Sequence, residues 1–170
     1  MKKLEDDFGT LFTEEEFENT PRRIFNVFKE FSENQKFEFT TFANEDNYNQ
    51  MVALKVDKFY SLCSHHLLPF FGCAYIGYIP QDRVCGISKL DRMIKKYASR
   101  PQIQERLTEQ IKNELTSKLG TNDVMVVLKA KHLCMEMRGT KATNPLMITS
   151  AISGAFWKPE VRTEFYKLTE

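Results

Sequence analysis

The sequence predicts an α+β domain built on a mostly antiparallel sheet, and three observations predict it. The chain has 170 residues, of which 42% are hydrophobic. That is enough for one domain with its own core and rather little for two. Apolar residues recur at helical spacing in some stretches and alternate or cluster as in strands in others. The resulting order is helix, strands, two helices, strands, helix, and strands that follow strands favour antiparallel pairing.

Taken in order, Thr13-Glu14-Glu15-Glu16 has the form of a capping box, and a short helix is expected to start there. The clearer start is Thr20-Pro21, because threonine suits a helix cap and proline its first turn. Ile24, Val27, Phe28 and Phe31 follow at helical spacing, so a helix is expected from about Pro21 to Ser32. Arg22 and Arg23 on its first turn read as solvated surface. Lys36 to Phe42 alternates as a strand does, and Ala43 to Gln50 is a polar loop. Met51 to Leu62 reads as a longer strand, and Phe70 to Ile79 as another that Pro80 ends. Gln81-Asp82-Arg83 suits a hairpin turn, with Val84 to Ile87 as the return strand. Ser88 suits a helix cap, and Leu90, Met93, Ile94 and Tyr97 follow at helical spacing. Beyond Pro101 a second helix runs from about Gln102 to Leu119. Ile103, Leu107, Ile111, Leu115 and Leu119 form its apolar stripe, and Gly120 ends it. Val124 to Met137 reads as a long strand, Leu146 to Phe156 as another, and Pro159 to Leu168 as a terminal helix.

Composition narrows the function classes. Net charge is +1 with 28% charged residues, which gives no bulk electrostatic case for nucleic acid or an anionic membrane as partner. The first residues have no apolar run after Lys2 and Lys3, so they do not read as a secretory signal. No 18-residue apolar stretch is present. A cytoplasmic protein with reduced thiols is expected. Its four cysteines then read as ligands or packed residues, not as disulfides.

The chemistry concentrates in two clusters. All three histidines and two of the four cysteines lie in Cys63-Ser64-His65-His66 and His132-Leu133-Cys134. Cys63 and His66 are spaced so that one short turn can present both to a single metal. The simplest reading is one zinc site with Cys63, His66 and Cys134 as ligands. Three protein ligands and one open position is the pattern of a catalytic zinc. His65 and His132 are then left near the metal as proton carriers. If Lys131 to Arg138 is strand, His132, Cys134, Glu136 and Arg138 share one face, opposite Leu133, Met135 and Met137. Cys73 and Cys85 read as packed small residues. Ser88, Lys89 and Arg92 at a helix start suit a polyanion, and a solvated helix end fits them equally. Glu105 beside Gln104 suits the N–H edge of a guanine, and a glutamate placed for the helix dipole fits as well.

Together these segments resemble GTP cyclohydrolase I. The resemblance is carried by Thr20-Pro21-Arg22-Arg23, by Cys63 through Gly72, and by Tyr78-Ile79-Pro80. It continues through Gly86-Ile87-Ser88-Lys89-Leu90 with Arg92, Gln102 through Thr108, and His132 through Gly139. It implies a tunnelling fold (T-fold): a four-stranded antiparallel sheet with two antiparallel helices on one face, plus an N-terminal helix. It implies a short extension, 1–19, before a single domain, 20–170. It also implies a homo-oligomer of ten subunits with active sites between them. Carried over residue by residue, Cys63, His66 and Cys134 are zinc ligands, and Glu105 with Gln104 anchors guanine. Ser88, Lys89, Arg92 and Arg138 hold ribose and triphosphate. His65 and His132 form the acid–base pair, with Ser88 assisting the ribose steps. The implied reaction opens GTP at guanine C8, releases formate and closes 7,8-dihydroneopterin triphosphate.

The chain departs from the family at three places. Ser64 stands where the family usually has Glu. Thr143 to Ser150 departs from a threonine- and serine-rich strand. The extension before Thr20 is short, so no regulatory partner is expected through it. Two other readings stay open on the sequence. One is a related cyclohydrolase that stops at an opened pyrimidine. The other is an inactive, zinc-stabilised assembly protein that binds purine nucleotides.

Overall fold

The computed structural model describes residues 11–33 and 37–169. The expected strand start at Lys36 and most of the N-terminal extension lie outside the described residues. What is described falls into two bodies, one ending before residue 35 and one after it.

The first body is helix α1, Glu14–Glu33. Its start is set by the capping box at Thr13, not by Thr20-Pro21. The Thr13 backbone N–H donates to Glu16 Oε2 at 2.8 Å, and the Glu16 N–H donates to Thr13 Oγ1 at 3.3 Å. Pro21 therefore sits inside the helix, where it removes one backbone bond that a first-turn proline would not. Arg23 pairs with Glu15 at 3.2 Å, and both side chains are solvated.

The second body is an α+β layer structure on a five-stranded sheet. Its main strands are β2 (Val52–Cys63), β3 (Pro69–Tyr78), β6 (Val124–His132) and β7 (Met147–Ile152). They lie side by side in that order, and each pairs antiparallel with its neighbour. The two-residue strand β5, Pro101–Gln102, adds a parallel edge beside β2 and makes the sheet mixed. Among the described residues, short strands β1 (Thr41–Ala43) and β4 (Arg83–Cys85) pair only with each other. The expected hairpin between β3 and β4 does not form, because β6 occupies the edge of β3 that a return strand would need. Residues 37–40 form no strand. Phe37 and Phe39 pack on the core instead, ring edge to ring face with centroids 6.2 Å apart.

Helices α2 (Ile87–Ala98) and α3 (Gln104–Leu119) supply the core on one face. Leu90, Met93, Ile94 and Ala98 of α2 meet Leu107, Ile111, Leu115 and Leu119 of α3 over Phe59, Phe70, Ile76, Val126 and Leu128. Each fully buried Leu, Ile, Val, Met or Phe side chain among them contributes about 1.5–3 kcal/mol. The cap of α2 is Gly86, so Ser88 lies in the first turn and not at the cap. Helix α3 starts two residues later than expected because Pro101 and Gln102 are held as strand. Gly120 ends it in the left-handed region, φ 67°.

The long strand expected to Met137 stops at His132. One helical turn, α4 (Leu133–Glu136), follows. The strand expected from Leu146 to Phe156 likewise ends at Ile152 and gives way to a 3₁₀ turn, Gly154–Trp157. Helix α5 (Pro159–Thr169) then folds back onto the second face of the sheet. Phe156 and Phe165 pack there on Met51, Met125 and Val127. A Cβ on Gly77 would come within 2.6 Å of the Phe165 ring, so that ring sits directly on the strand backbone. Phe165→Ala is expected to lower the unfolding free energy by about 3–5 kcal/mol, read as a shift in the chemical denaturation midpoint.

Candidate active site

The two clusters meet at one end of the sheet. Strand β2 ends at Cys63, and the turn to β3 presents His65 and His66. The Cys63 carbonyl accepts from the N–H groups of His66 at 3.3 Å and Leu67 at 2.8 Å. The Cys63 N–H donates to the Leu68 carbonyl at 2.8 Å, which closes the turn. Leu67 takes a left-handed conformation, φ 54°, that branched and bulky residues avoid. The Ser64 N–H donates to the Gln102 carbonyl at 2.9 Å, so β5 braces the turn from the side.

His132 and Cys134 arrive from β6, two strands away. Phe70 on β3 stands opposite His132 on β6. Their rings stack with centroids 4.5 Å apart and planes 1° from parallel. Cys134 is then delivered by α4. The alternation reading of residues 131–138 is thus corrected, since the face shared by His132, Cys134, Glu136 and Arg138 needs a strand that ends at His132. Helix geometry still brings the Cys134 sulfur home. The ligand atoms of Cys63, His66 and Cys134 all lie within 4.8 Å of one another.

The donor set fits zinc. Cys63 Sγ is 3.6 Å from His66 Nδ1. Zinc about 2.3 Å from sulfur and about 2.1 Å from nitrogen, at tetrahedral angles, sets such a pair about 3.6 Å apart. Burial, then the neighbouring Cys63 thiol, push the Cys134 pKa up, while Arg138 pulls it down. Two thiolates at this spacing are unfavourable without a cation between them, and a divalent ion reverses that balance. His65 Nδ1 lies 3.9 Å from the same Cys63 sulfur but outside the three-residue cluster.

Gln104 and Glu105 open α3 beside this centre. Glu105 is exposed, and its carboxylate raises the His132 pKa against the larger, lowering effect of burial. Gln104 is turned inward. It is 1% exposed, and its amide bonds to Leu128, Met147, Thr149 and His132. The side-chain contact with a base expected of Gln104 is not what this arrangement offers. Its inward role carried no signal in the sequence, since it depends on β6 and β7 lying beside α3.

Comparison with known proteins places the chain. The family model described as GTP cyclohydrolase I matches residues 1–170. A GTP cyclohydrolase 1 of Aquifex aeolicus is 46% identical over 157 residues, covering 92% of this chain and 85% of the relative. One from Hydrogenobaculum is 42% identical over 170 residues, covering 99% and 93%. The chain belongs to the GTP cyclohydrolase I family. A GTP cyclohydrolase 1 of Campylobacter lari is 44% identical over 154 residues, covering 88% of this chain and 81% of the relative. Among solved structures, the apo form of an archaeosine synthase QueF-Like matches with a TM-score of 0.50 at 20% identity. It covers 62% of this chain and 94% of that one, a likeness of fold.

Not every expected residue reaches the metal end. Helix α2 follows the far end of β3, where Tyr78 pairs with Val52. It closes near the metal end, where the Ser61 hydroxyl donates to the Ala98 carbonyl at 2.8 Å. At a rise of 1.5 Å per residue, Ser88 lies about 15 Å back along the helix from Ala98. Lys89 there donates to the Glu38 carbonyl at 2.8 Å, and Ser88 and Arg92 are exposed. Arg138, by contrast, lies close enough to Cys134 to lower its pKa. The chain thus gathers Cys63, His65, His66, Glu105, His132, Cys134 and Arg138 near one end, and leaves Ser88, Lys89 and Arg92 apart from them. If the three-residue cluster binds the ion, Cys63→Ala and Cys134→Ala will each cut bound zinc per chain by at least about 10-fold, measured by elemental analysis of the purified protein.

Proposed function

We propose that this chain is a zinc-dependent GTP cyclohydrolase I of tunnelling fold, and that it converts GTP to formate and 7,8-dihydroneopterin triphosphate. The observation that carries this reading is the Cys63–His66–Cys134 cluster within 4.8 Å, placed beside His132 and the exposed Glu105. Family membership supplies the reaction, and this cluster supplies the means. We read residues 20–170 as the catalytic domain, working in the cytoplasm where its thiols stay reduced. No helix among the described residues is long and apolar enough to cross a membrane.

The residues divide the work. Glu105 accepts from the N–H edge of guanine and sets the base in place. Cys63, His66 and Cys134 would hold zinc, which would supply Lewis acidity and a water nucleophilic near neutral pH. His132 takes a proton from the water that adds to C8 and passes it to the ring nitrogen as the imidazole ring opens. His65 stands on the same turn as the metal ligands and serves the second hydrolysis and the ribose opening. Arg138 meets the triphosphate from the metal side. Ser88, Lys89 and Arg92 complete the ribose and phosphate contacts from a second copy of the chain, because their own copy holds them away from its metal end. The active site therefore lies between subunits, and the assembly is a closed ring of copies, read as a decamer. Ser64 brings no carboxylate to the turn. Its backbone bond to Gln102 keeps the turn braced without one.

Incubating the zinc-loaded protein with GTP should release formate and the oxidised, fluorescent pterin in equal amounts. Formate without pterin would instead mark an enzyme that stops at the opened pyrimidine. The shared site has its own test. Cys134→Ala and Arg92→Ala are each expected to be inactive alone. Unfolded together and reassembled as mixed rings, they should regain about a quarter of wild-type activity, since one site in four then joins two intact halves.

A further inference from the structure

We propose that Gln104 is a positioning residue for His132, and that it fixes which ring nitrogen of that histidine carries the proton. The proposal rests on the acid–base reading of His132 given above, and its geometry stands independently of that reading. Gln104 Nε2 lies 3.1 Å from the carbonyl oxygens of Leu128 and Met147, and 3.1 Å from the Thr149 hydroxyl. Carbonyl oxygens only accept, so the amide nitrogen must face them. The opposite orientation would set the amide oxygen against two carbonyl oxygens with no hydrogen between. The atom 2.8 Å from His132 Nε2 is therefore Gln104 Oε1. An amide oxygen cannot donate, so His132 Nε2 carries a hydrogen and donates it.

The hydroxyl groups close the network without slack. Thr108 Oγ1 donates to the Gln104 backbone carbonyl at 2.7 Å. Its oxygen then accepts from Thr149 Oγ1, also at 2.7 Å. The Thr149 oxygen then accepts from Gln104 Nε2, whose two hydrogens are shared among Thr149 and the two carbonyls. Rotating the amide would break bonds to both β6 and β7. Stacking on Phe70 fixes the plane of the histidine ring as well. In neutral His132 the free nitrogen is then Nδ1, and every proton that His132 takes or gives must pass through it. Guanine recognition falls to Glu105, with Gln104 acting through the histidine.

The test reads the histidine directly. The chain has three histidines, so nitrogen-15 spectra of histidine-labelled protein can be assigned with His65→Gln and His66→Gln variants. Wild-type His132 should show one neutral tautomer, protonated at Nε2. Gln104→Met, similar in size but with no acceptor, should mix the two tautomers. It should lower kcat by about 10- to 100-fold while KM for GTP holds. A wild-type His132 protonated at Nδ1 would overturn the proposal, and that measurement needs no variant to fold. A Gln104→Met protein with the wild-type tautomer, or with raised KM and unchanged kcat, would overturn it too. Wild-type protein that binds zinc but does not turn over GTP would overturn the cyclohydrolase reading instead, and the tautomer spectra tell the two failures apart.

Discussion

The pairing of β3 with both of its neighbours is the constraint on which the site depends. Leu62 pairs with Pro69 on one side and Phe70 with His132 on the other. Neighbouring strands lie about 4.8 Å apart, so β2 and β6 end about 10 Å from each other. The turn after Cys63 and the helical turn after His132 only have to lean together across the end of β3. A slip of one residue between β3 and β6 would send His132 to the opposite face of the sheet and take the Cys134 turn with it. The register is protected on both faces. Phe70, Ala74, Ile76, Val126 and Leu128 are buried under α2 and α3, and Met125 and Val127 under α5. Gly72 allows the close approach, because a Cβ there would run into the backbone of Lys129 and Ala130 on β6.

The electrostatics of the site follow from that geometry. Two thiols and an imidazole are brought within 4.8 Å of one another, where burial disfavours the Cys134 thiolate. Such a cluster is poised to gain stability from a cation, which supplies the missing positive charge. His132 is handled differently. It is partly buried against an aromatic ring and tied to a neutral amide, surroundings that favour its uncharged form. One end of one sheet thus holds a cluster that calls for a cation and a neighbouring ring kept neutral.

Much of this was legible in the sequence, for identifiable reasons. Cysteine and histidine are rare here and clustered, so Cys63, His66 and Cys134 could be matched before any fold was known. The buried stripes of α2 and α3 repeat at 3.6 residues, so the helices could be placed to within two residues. The ends of elements were less legible. Pro21 and Ser88 both look like helix starts locally, but Thr13 and Gly86 begin those helices, because a cap is decided by where the backbone turns. The β-like run past His132 ends early, and local pattern does not show that α4 curls the chain and brings Cys134 to Cys63 and His66. Gln104 was the least legible of all. A glutamine beside a glutamate at a helix start looks solvent-facing, and only the carbonyls of Leu128 and Met147 reveal which way it points.

Among the described residues β7 pairs with β6 alone, and it is from β7 that Met147 and Thr149 grip Gln104. None of the three cluster residues lies on β7; Cys63 ends β2, His66 lies on the turn after it and Cys134 on α4. The two halves of the chemistry therefore have separate mechanical anchorages. Slackness in β7 reaches the His132 ring through one amide and bypasses the Cys63–His66–Cys134 cluster. If the cluster holds the proposed ion, such a molecule can keep it and still lose the aim of His132, and a neighbour clasping that strand would steady the aim without touching the ion.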